Sequence, residues 1–310
     1  MLNVLLSAPM FDTSPGFRSQ IEEAAPGVRV AGEGDLADQD VDILIADDHT
    51  DPTGRRFPNL TAVLSLSAGV DQLLQHDQFG QVGISRLLTP EHQQSMRDYI
   101  AYHVLRANGP FRAAERQQRE RRWDWLEPAT PVAGKSALVL GTGFLGAAAA
   151  ATLRDLGLAV TGWSRAARPL PGIASIAGED ALHDALGDTD FLICLLPLTA
   201  MTRNLLDTTR LRRLPGRAVL INASRAGCLD LPALVAMLRS GRLAGAVLDV
   251  LEGEPLAADS PLWTVPNLML TPHCAAVPSA AAYLTAIVEA LRAILAGRDL
   301  PNRIDKSQGY

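Results

Sequence analysis

Short apolar runs separated by polar or helical stretches make up the first third of the chain: Asn3–Ser7, Val41–Ala46, Ala62–Leu66 and Val82–Arg86. Runs this short, with turn residues between them, predict strands of a parallel sheet. A helix is predicted from about His92 to Asn108, ended by Gly109-Pro110. A second strand series follows at Ser136–Leu140, Leu158–Trp163, Asp190–Leu196, Ala218–Asn222, Ala244–Asp249 and Leu268–Leu270, with helical segments between most of them. That alternation is the pattern of a doubly wound sheet. The last run, Pro278–Leu295, is apolar and Ala-rich and reads as a helix that crosses back to the first domain. No internal repeat is found, although both halves share the same α/β texture.

Length supports two domains, since 310 residues is about twice a typical domain. With 47% hydrophobic and 20% charged residues, the chain is neither disordered nor of low complexity. A net charge of −6 offers no basic field for nucleic acid. One local exception, Arg112, Arg116, Arg119, Arg121 and Arg122, winds around a helix that also carries Glu115 and Glu120, and reads as a solvated or subunit-facing surface. Cys194, Cys228 and Cys274 are odd in number, far apart and without CxxC spacing, so neither a disulfide framework nor a metal site is expected. Residues 1–10 lack a basic leader and read as a buried strand running into a turn at Pro9. No apolar run approaches the ~18 residues of a spanning helix, so the expectation is a cytoplasmic protein with no membrane partner.

Gly141-Thr-Gly-Phe-Leu-Gly146 directly follows a predicted strand and opens the helix Phe144–Asp155. Gly141 permits a tight turn, Gly143 admits a pyrophosphate against the backbone, and Gly146 lets helix and strand pack closely. Phe144 and Leu145 begin the helix whose N-terminus faces the phosphates. The next strand ends in Ser164-Arg165, where an NAD enzyme carries an acidic residue for the ribose 2′-hydroxyl. Serine with Arg165 and Arg168 suits a 2′-phosphate instead, so NADP is expected as the preferred cofactor and NAD as the lesser one.

Three further segments fall at the carboxyl ends of predicted strands, where open α/β sheets bind ligands. They are Ile221-Asn-Ala-Ser-Arg-Ala-Gly227, Leu248-Asp-Val-Leu-Glu-Gly-Glu-Pro-Leu256 and Leu270-Thr-Pro-His-Cys-Ala-Ala276. Singly, Arg225 is a loop ion pair, Glu254 a solvated carboxylate and His273 a loop histidine. Together, in this order and downstream of the glycine turn, they resemble the D-2-hydroxyacid dehydrogenase family, closest to its bacterial glyoxylate/hydroxypyruvate reductase branch. The resemblance covers essentially the whole chain. Leu64-Ser-Leu-Ser-Ala-Gly-Val-Asp71 is similar to the family's substrate-carboxylate loop, Trp163-Ser-Arg165 to the branch's NADP strand end, and Ile304-Asp305-Lys306 before Gly309-Tyr310 to its tail. The segment Asp47-Asp48-His49-Thr50, near the expected substrate mouth, departs from the branch.

The resemblance implies an α/β fold of two Rossmann-like domains with parallel sheets and an active-site cleft between them. A substrate-binding domain would span 1–98 plus 279–310, and a dinucleotide-binding domain 99–278. It implies reduction of a small 2-keto acid, glyoxylate or hydroxypyruvate, to glycolate or D-glycerate. Hydride delivery leaves charge on the keto oxygen, so a proton donor must lie within reach, and His273 is assigned that role. Glu254 would hold the ring and favour its cationic form. Arg225 would fork onto the substrate carboxylate and polarise the keto oxygen. The amides of Ala68, Gly69 and Val70 would grip the same carboxylate. Asp249 is implied at the nicotinamide carboxamide, with Leu196, Pro197 and Ala223 along the cofactor. A homodimer through the cofactor domain is also implied, and the Trp123- and Trp125-bearing stretch suits such an interface. Reduction of bulkier 2-keto acids, or a non-catalytic dinucleotide-sensing protein, are the other readings.

Overall fold

The computed structural model describes residues 1–8, 11, 16–47, 55–128 and 130–306. Pro9, Asp48, His49, Thr50, Gly309 and Tyr310 lie outside the described residues. Two compact units are found, Met1–Glu91 with Pro278–Tyr310, and His92–Val277.

The first unit contains β1 (Leu2–Ser7), α1 (Phe17–Ala24), β2 (Val28–Ala31), β3 (Ile43–Ala46), β4 (Ala62–Ser65), α2 (Asp71–Leu74) and β5 (Gly83–Arg86). All five strands run parallel in the order β2-β1-β3-β4-β5. Strands covered on both faces must be apolar on both, and β3 (ILIA) and β4 (AVLS) are buried at every position. The chain's final helix, Ala280–Leu295, also belongs here; Ser279 caps it by accepting the Ala282 amide at 3.3 Å. Its buried stripe of Tyr283, Ile287 and Leu291 packs with Val4, Leu6, Phe17 and Ile21. Truncating Leu291 to alanine there costs about 2–5 kcal/mol.

The second unit begins within α3 (Pro90–Asn108) and continues with α4 (Phe111–Arg119), β6 (Ser136–Leu140), α5 (Phe144–Asp155), β7 (Ala159–Trp163) and β8 (Ala174–Ile176). Next come α6 (Glu179–Leu186), β9 (Phe191–Cys194), α7 (Thr208–Arg213), β10 (Val219–Asn222), α8 (Leu231–Arg239), β11 (Gly245–Leu248) and β12 (Leu268–Leu270), and α9 is the Ala280–Leu295 helix. Its seven strands are all parallel, in the order β12-β11-β10-β9-β6-β7-β8. Strand order reverses between β6 and β9, which is the switch point where such sheets take ligands.

The arginine-rich stretch differs from its sequence reading. The helix stops at Arg119, and Arg121 adopts a left-handed φ of 53°. Arg112 turns inward and donates to the Ala244 carbonyl at 3.2 Å, passing where a side chain on Gly245 would stand. The missing Cβ makes room for a guanidinium that the charge pattern assigned to a solvated or subunit-facing surface. Among the described residues no helix is long and apolar enough to cross a membrane.

Candidate active site

Parallel strands place all their carboxyl ends on one edge, so the second sheet orders its loops along a line. From one side to the other come the His273 loop after β12, the Glu254 loop after β11, Arg225 after β10, and Leu196-Pro197 after β9. The glycine turn after β6 and Ser164-Arg165 after β7 complete the line. Five strand spacings, about 24 Å, separate its two ends.

The glycine turn meets the requirements of a dinucleotide site. Gly141 has a φ of 92°, and a Cβ on it would lie 2.5 Å from the Leu195 carbonyl oxygen. A Cβ on Gly146 would lie 1.7 Å from the Gly141 oxygen, so helix and strand pack only without one. At Gly143, the residue just before α5, a Cβ would meet nothing within 4 Å, leaving the backbone open to an approaching pyrophosphate. The Gln93 side chain steadies the helix start, donating to the Phe144 carbonyl at 2.9 Å. Leu196 is buried in the core, Leu145, Pro197 and Ala223 are half-buried, and Arg165 and Arg168 are exposed. The Ser164 hydroxyl donates to the Ala166 carbonyl at 2.8 Å and accepts from Thr142 Oγ1 at 3.0 Å.

Arg225 follows β10 in extended backbone, φ −139° and ψ 140°. Fully buried Asn222 builds its loop: the side-chain oxygen takes the Ser224 amide at 3.2 Å and hydroxyl at 2.7 Å, and the side-chain nitrogen donates to the Arg225 carbonyl at 3.1 Å. The guanidinium reaches back to the Ser224 carbonyl at 3.1 Å.

His273 sits at φ 52°, a conformation costly for a non-glycine residue and held only when the surroundings impose it. Its amide donates to the carbonyls of Asp249 and Thr271, both at 3.0 Å. Asp249, 2% exposed, organises the rest of the loop. Its Oδ1 accepts from Thr271 Oγ1 at 2.5 Å and the Cys274 amide at 3.0 Å, and its Oδ2 accepts the Ala275 amide at 2.9 Å. Because Thr271 gives its one hydroxyl proton to Asp249, the contact of Tyr99 with Thr271 at 2.7 Å must run from the phenol to the threonine. Burial, and then the charge of Asp249, push the Tyr99 phenol above its usual range. Burial and the same charge also raise the Cys274 thiol. Glu254 presents Oε2 to His273 Nδ1 at 2.9 Å and takes the Leu251 amide on Oε1 at 2.7 Å. The two side chains are 24% and 28% exposed, so the pair is reachable from solvent.

In the first unit, the Ala68–Val70 loop follows the carboxyl end of β4. Its entry is fixed by Leu66, whose amide reaches the Ala46 carbonyl at 2.8 Å and whose carbonyl accepts from Tyr283 at 3.1 Å. Among the described residues no acceptor takes the amides of Ala68, Gly69 or Val70. Consecutive unpaired N–H groups of this kind suit a carboxylate.

Asn222, Tyr99, Thr271 and Thr142 are absent from the sequence-based site. Only Asn222, a lone polar residue closing an apolar strand, left a local signal.

The family model described as "D-isomer specific 2-hydroxyacid dehydrogenase, NAD binding domain" matches residues 101–275. Glyoxylate/hydroxypyruvate reductase A of Klebsiella pneumoniae (strain 342) is 32% identical over 319 residues, covering 100% of both chains. Among solved structures, a D-isomer specific 2-hydroxyacid dehydrogenase from Xanthobacter autotrophicus Py2, in complex with NADPH and MES, is 36% identical with a TM-score of 0.87, covering 100% of both chains. An NADPH-dependent glyoxylate/hydroxypyruvate reductase from Sinorhizobium meliloti, in complex with NADP and sulfate, is 30% identical with a TM-score of 0.86, again over 100% of both chains.

Proposed function

The chain belongs to the D-isomer specific 2-hydroxyacid dehydrogenase family, and from that premise we propose that it reduces small 2-keto acids, glyoxylate and hydroxypyruvate, to glycolate and D-glycerate with NADPH. The observation that carries this reading is the Glu254–His273 pair, on the same sheet edge as a glycine turn open at Gly143. Relatives named glyoxylate/hydroxypyruvate reductase A, and neighbours bound to NADPH or NADP, support the substrate and the cofactor.

When bound, the nicotinamide supplies the hydride. Gly141, Gly143, Phe144, Leu145 and Gly146 hold the pyrophosphate, and Arg165 and Arg168 meet the 2′-phosphate. Leu196, Pro197, Ala223 and Asp249 line the dinucleotide, and Asp249 shapes the His273 loop as well. Arg225 forks onto the substrate carboxylate and polarises the keto oxygen, and the open amides of Ala68, Gly69 and Val70 suit a carboxylate. His273 presents Nε2 to the developing alkoxide and gives up its proton there, while Glu254 fixes Nδ1 and so aims the ring. A panel of 2-keto acids with NADPH and NADH tests this. Glyoxylate or hydroxypyruvate should oxidise NADPH fastest; oxidation by a bulky branched keto acid alone would overturn the substrate assignment.

A homodimer fits the exposed apolar stretch Tyr102, Leu105, Phe111, Trp123 and Trp125, the last two 87% and 92% exposed. A concentration-independent monomer mass in light scattering would rule it out. Three free cysteines accord with a reducing cytoplasm.

A further inference from the structure

Ser164 has one hydroxyl proton and gives it to the Ala166 carbonyl at 2.8 Å. It therefore has none for a phosphate oxygen, although its position at the end of β7 invites that role. Its oxygen instead accepts from Thr142 at 3.0 Å. Thr142 is the first variable residue of the glycine turn and is almost fully buried. It reaches Ser164 because Gly162 has no side chain: a Cβ there would stand 2.6 Å from the Thr142 methyl. The same turn is pinned from the other side, by the Ser164 amide to the Ile176 carbonyl at 3.3 Å and the Arg168 amide to Ser175 Oγ at 3.0 Å. Arg165 and Arg168, both exposed, thus stand on a short segment fastened to β8 at two points and to the pyrophosphate turn at one.

We propose that Thr142 is a specificity-determining positioning residue for NADPH: acting through Ser164, it fastens the 164–166 turn so that Arg165 is held where a 2′-phosphate lies. This rests on the dinucleotide reading above and deepens it. Ser164 is then the middle of a latch rather than a phosphate donor. The latch ties cofactor choice to the glycine turn, since the residue that sets the 2′ end belongs to the loop that holds the pyrophosphate. A planar guanidinium binds phosphate well only when its fork is already oriented, so releasing the turn lowers affinity for the 2′-phosphate without removing a charge. NAD, which lacks that group, is indifferent to the latch.

The test is calorimetric binding of NADP⁺, NAD⁺ and adenosine 2′,5′-bisphosphate to the full chain, with no turnover involved. Thr142→Val keeps the shape and removes the donor. It should lower the NADP⁺ to NAD⁺ affinity ratio about three- to tenfold, the worth of one such hydrogen bond, with a matching loss for adenosine 2′,5′-bisphosphate. Ser164→Ala should lower the ratio by a similar factor, and the double variant by no more than either alone, because both break one latch. Thr142→Ser should restore the wild-type ratio. The proposal is overturned if Thr142→Val leaves the ratio unchanged while Ser164→Ala lowers it, which would make Ser164 a direct phosphate donor. It is overturned equally by additive losses, by a serine that fails to rescue, or by a valine variant that loses both dinucleotides alike. Wild-type protein that binds neither dinucleotide would instead bring down the cofactor reading itself.

Discussion

The Glu254 carboxylate holds His273 Nδ1 at 2.9 Å through one oxygen and the Leu251 amide at 2.7 Å through the other. A carboxylate anchored to the backbone in this way cannot swing, so it fixes the imidazole plane. Glu254→Gln keeps the shape, but an amide has a single oxygen, so keeping the Leu251 N–H contact turns a nitrogen donor to Nδ1 in place of the acceptor. We expect kcat to fall about 10²- to 10⁴-fold, the range for a disabled general acid, with NADPH affinity within about twofold of wild type. Steady-state kinetics and cofactor titration decide; a variant of unchanged kcat would leave Glu254 no part in aiming the ring.

The Tyr99–Thr271–Asp249 chain predicts a second effect, on stability as well as rate. Thr271→Val strands the Tyr99 phenol and takes one of three donors from a buried carboxylate, at a cost of about 1–3 kcal/mol. Melting temperature and kcat should both drop while NADPH binding persists, and Thr271→Ser should restore both. Equal melting curves for the valine variant and wild type would contradict the strut.

Much of this architecture was legible because parallel strands covered on both faces are nearly continuous apolar runs. Ser136–Leu140 and Leu268–Leu270 are observed with the predicted bounds, and Phe144–Asp155 with its predicted helix. The edge strands β2 and β8 were not predicted, being only four and three residues long, with an exposed arginine inside β2 and no fully buried position in β8. The glycine turn was legible because its positions demand glycine, whereas the three chemistry-bearing loops were read only from their joint resemblance to a family. What supports them was not: Tyr99 and Thr271 meet across 172 positions, and the Ser164 hydroxyl is consumed by a carbonyl two residues on. Contacts of that kind leave no local pattern.

Acid should destabilise the protein through His103. Burial lowers this imidazole to about 4, Arg106 adding to the effect and Asp249 opposing it. Unfolded histidine titrates near 6.5, so as pH falls the unfolded chain takes up this proton first. The contribution of neutral His103 is fully present above about 6.5 and is lost progressively between about 6.5 and 4. His103→Leu, which cannot titrate, should flatten melting temperature against pH over that window. Parallel curves for the two proteins would show that His103 is not held neutral.

Cofactor preference should reverse in Ser164→Asp with Arg165→Ala. The aspartate repels a 2′-phosphate and accepts from the ribose hydroxyls of NADH, and the alanine removes the planar cation. The lost Arg165 contact to the phosphate is worth about 1.5–3 kcal/mol, so kcat/KM should swing toward NADH by more than about tenfold. Activity should survive, because the His273 loop stands at the far end of the sheet edge. An unchanged ratio would show that Arg165 does not read the 2′ position.

The role of His273 as proton donor to the reduced 2-keto acid is tested by comparing wild type with His273→Ala in glyoxylate turnover with NADPH, alongside NADPH affinity. The alanine variant should have a kcat about 10²- to 10⁴-fold lower with cofactor affinity nearly unchanged, since the proposed dinucleotide contacts lie on other loops. Wild-type turnover in the alanine variant would contradict it.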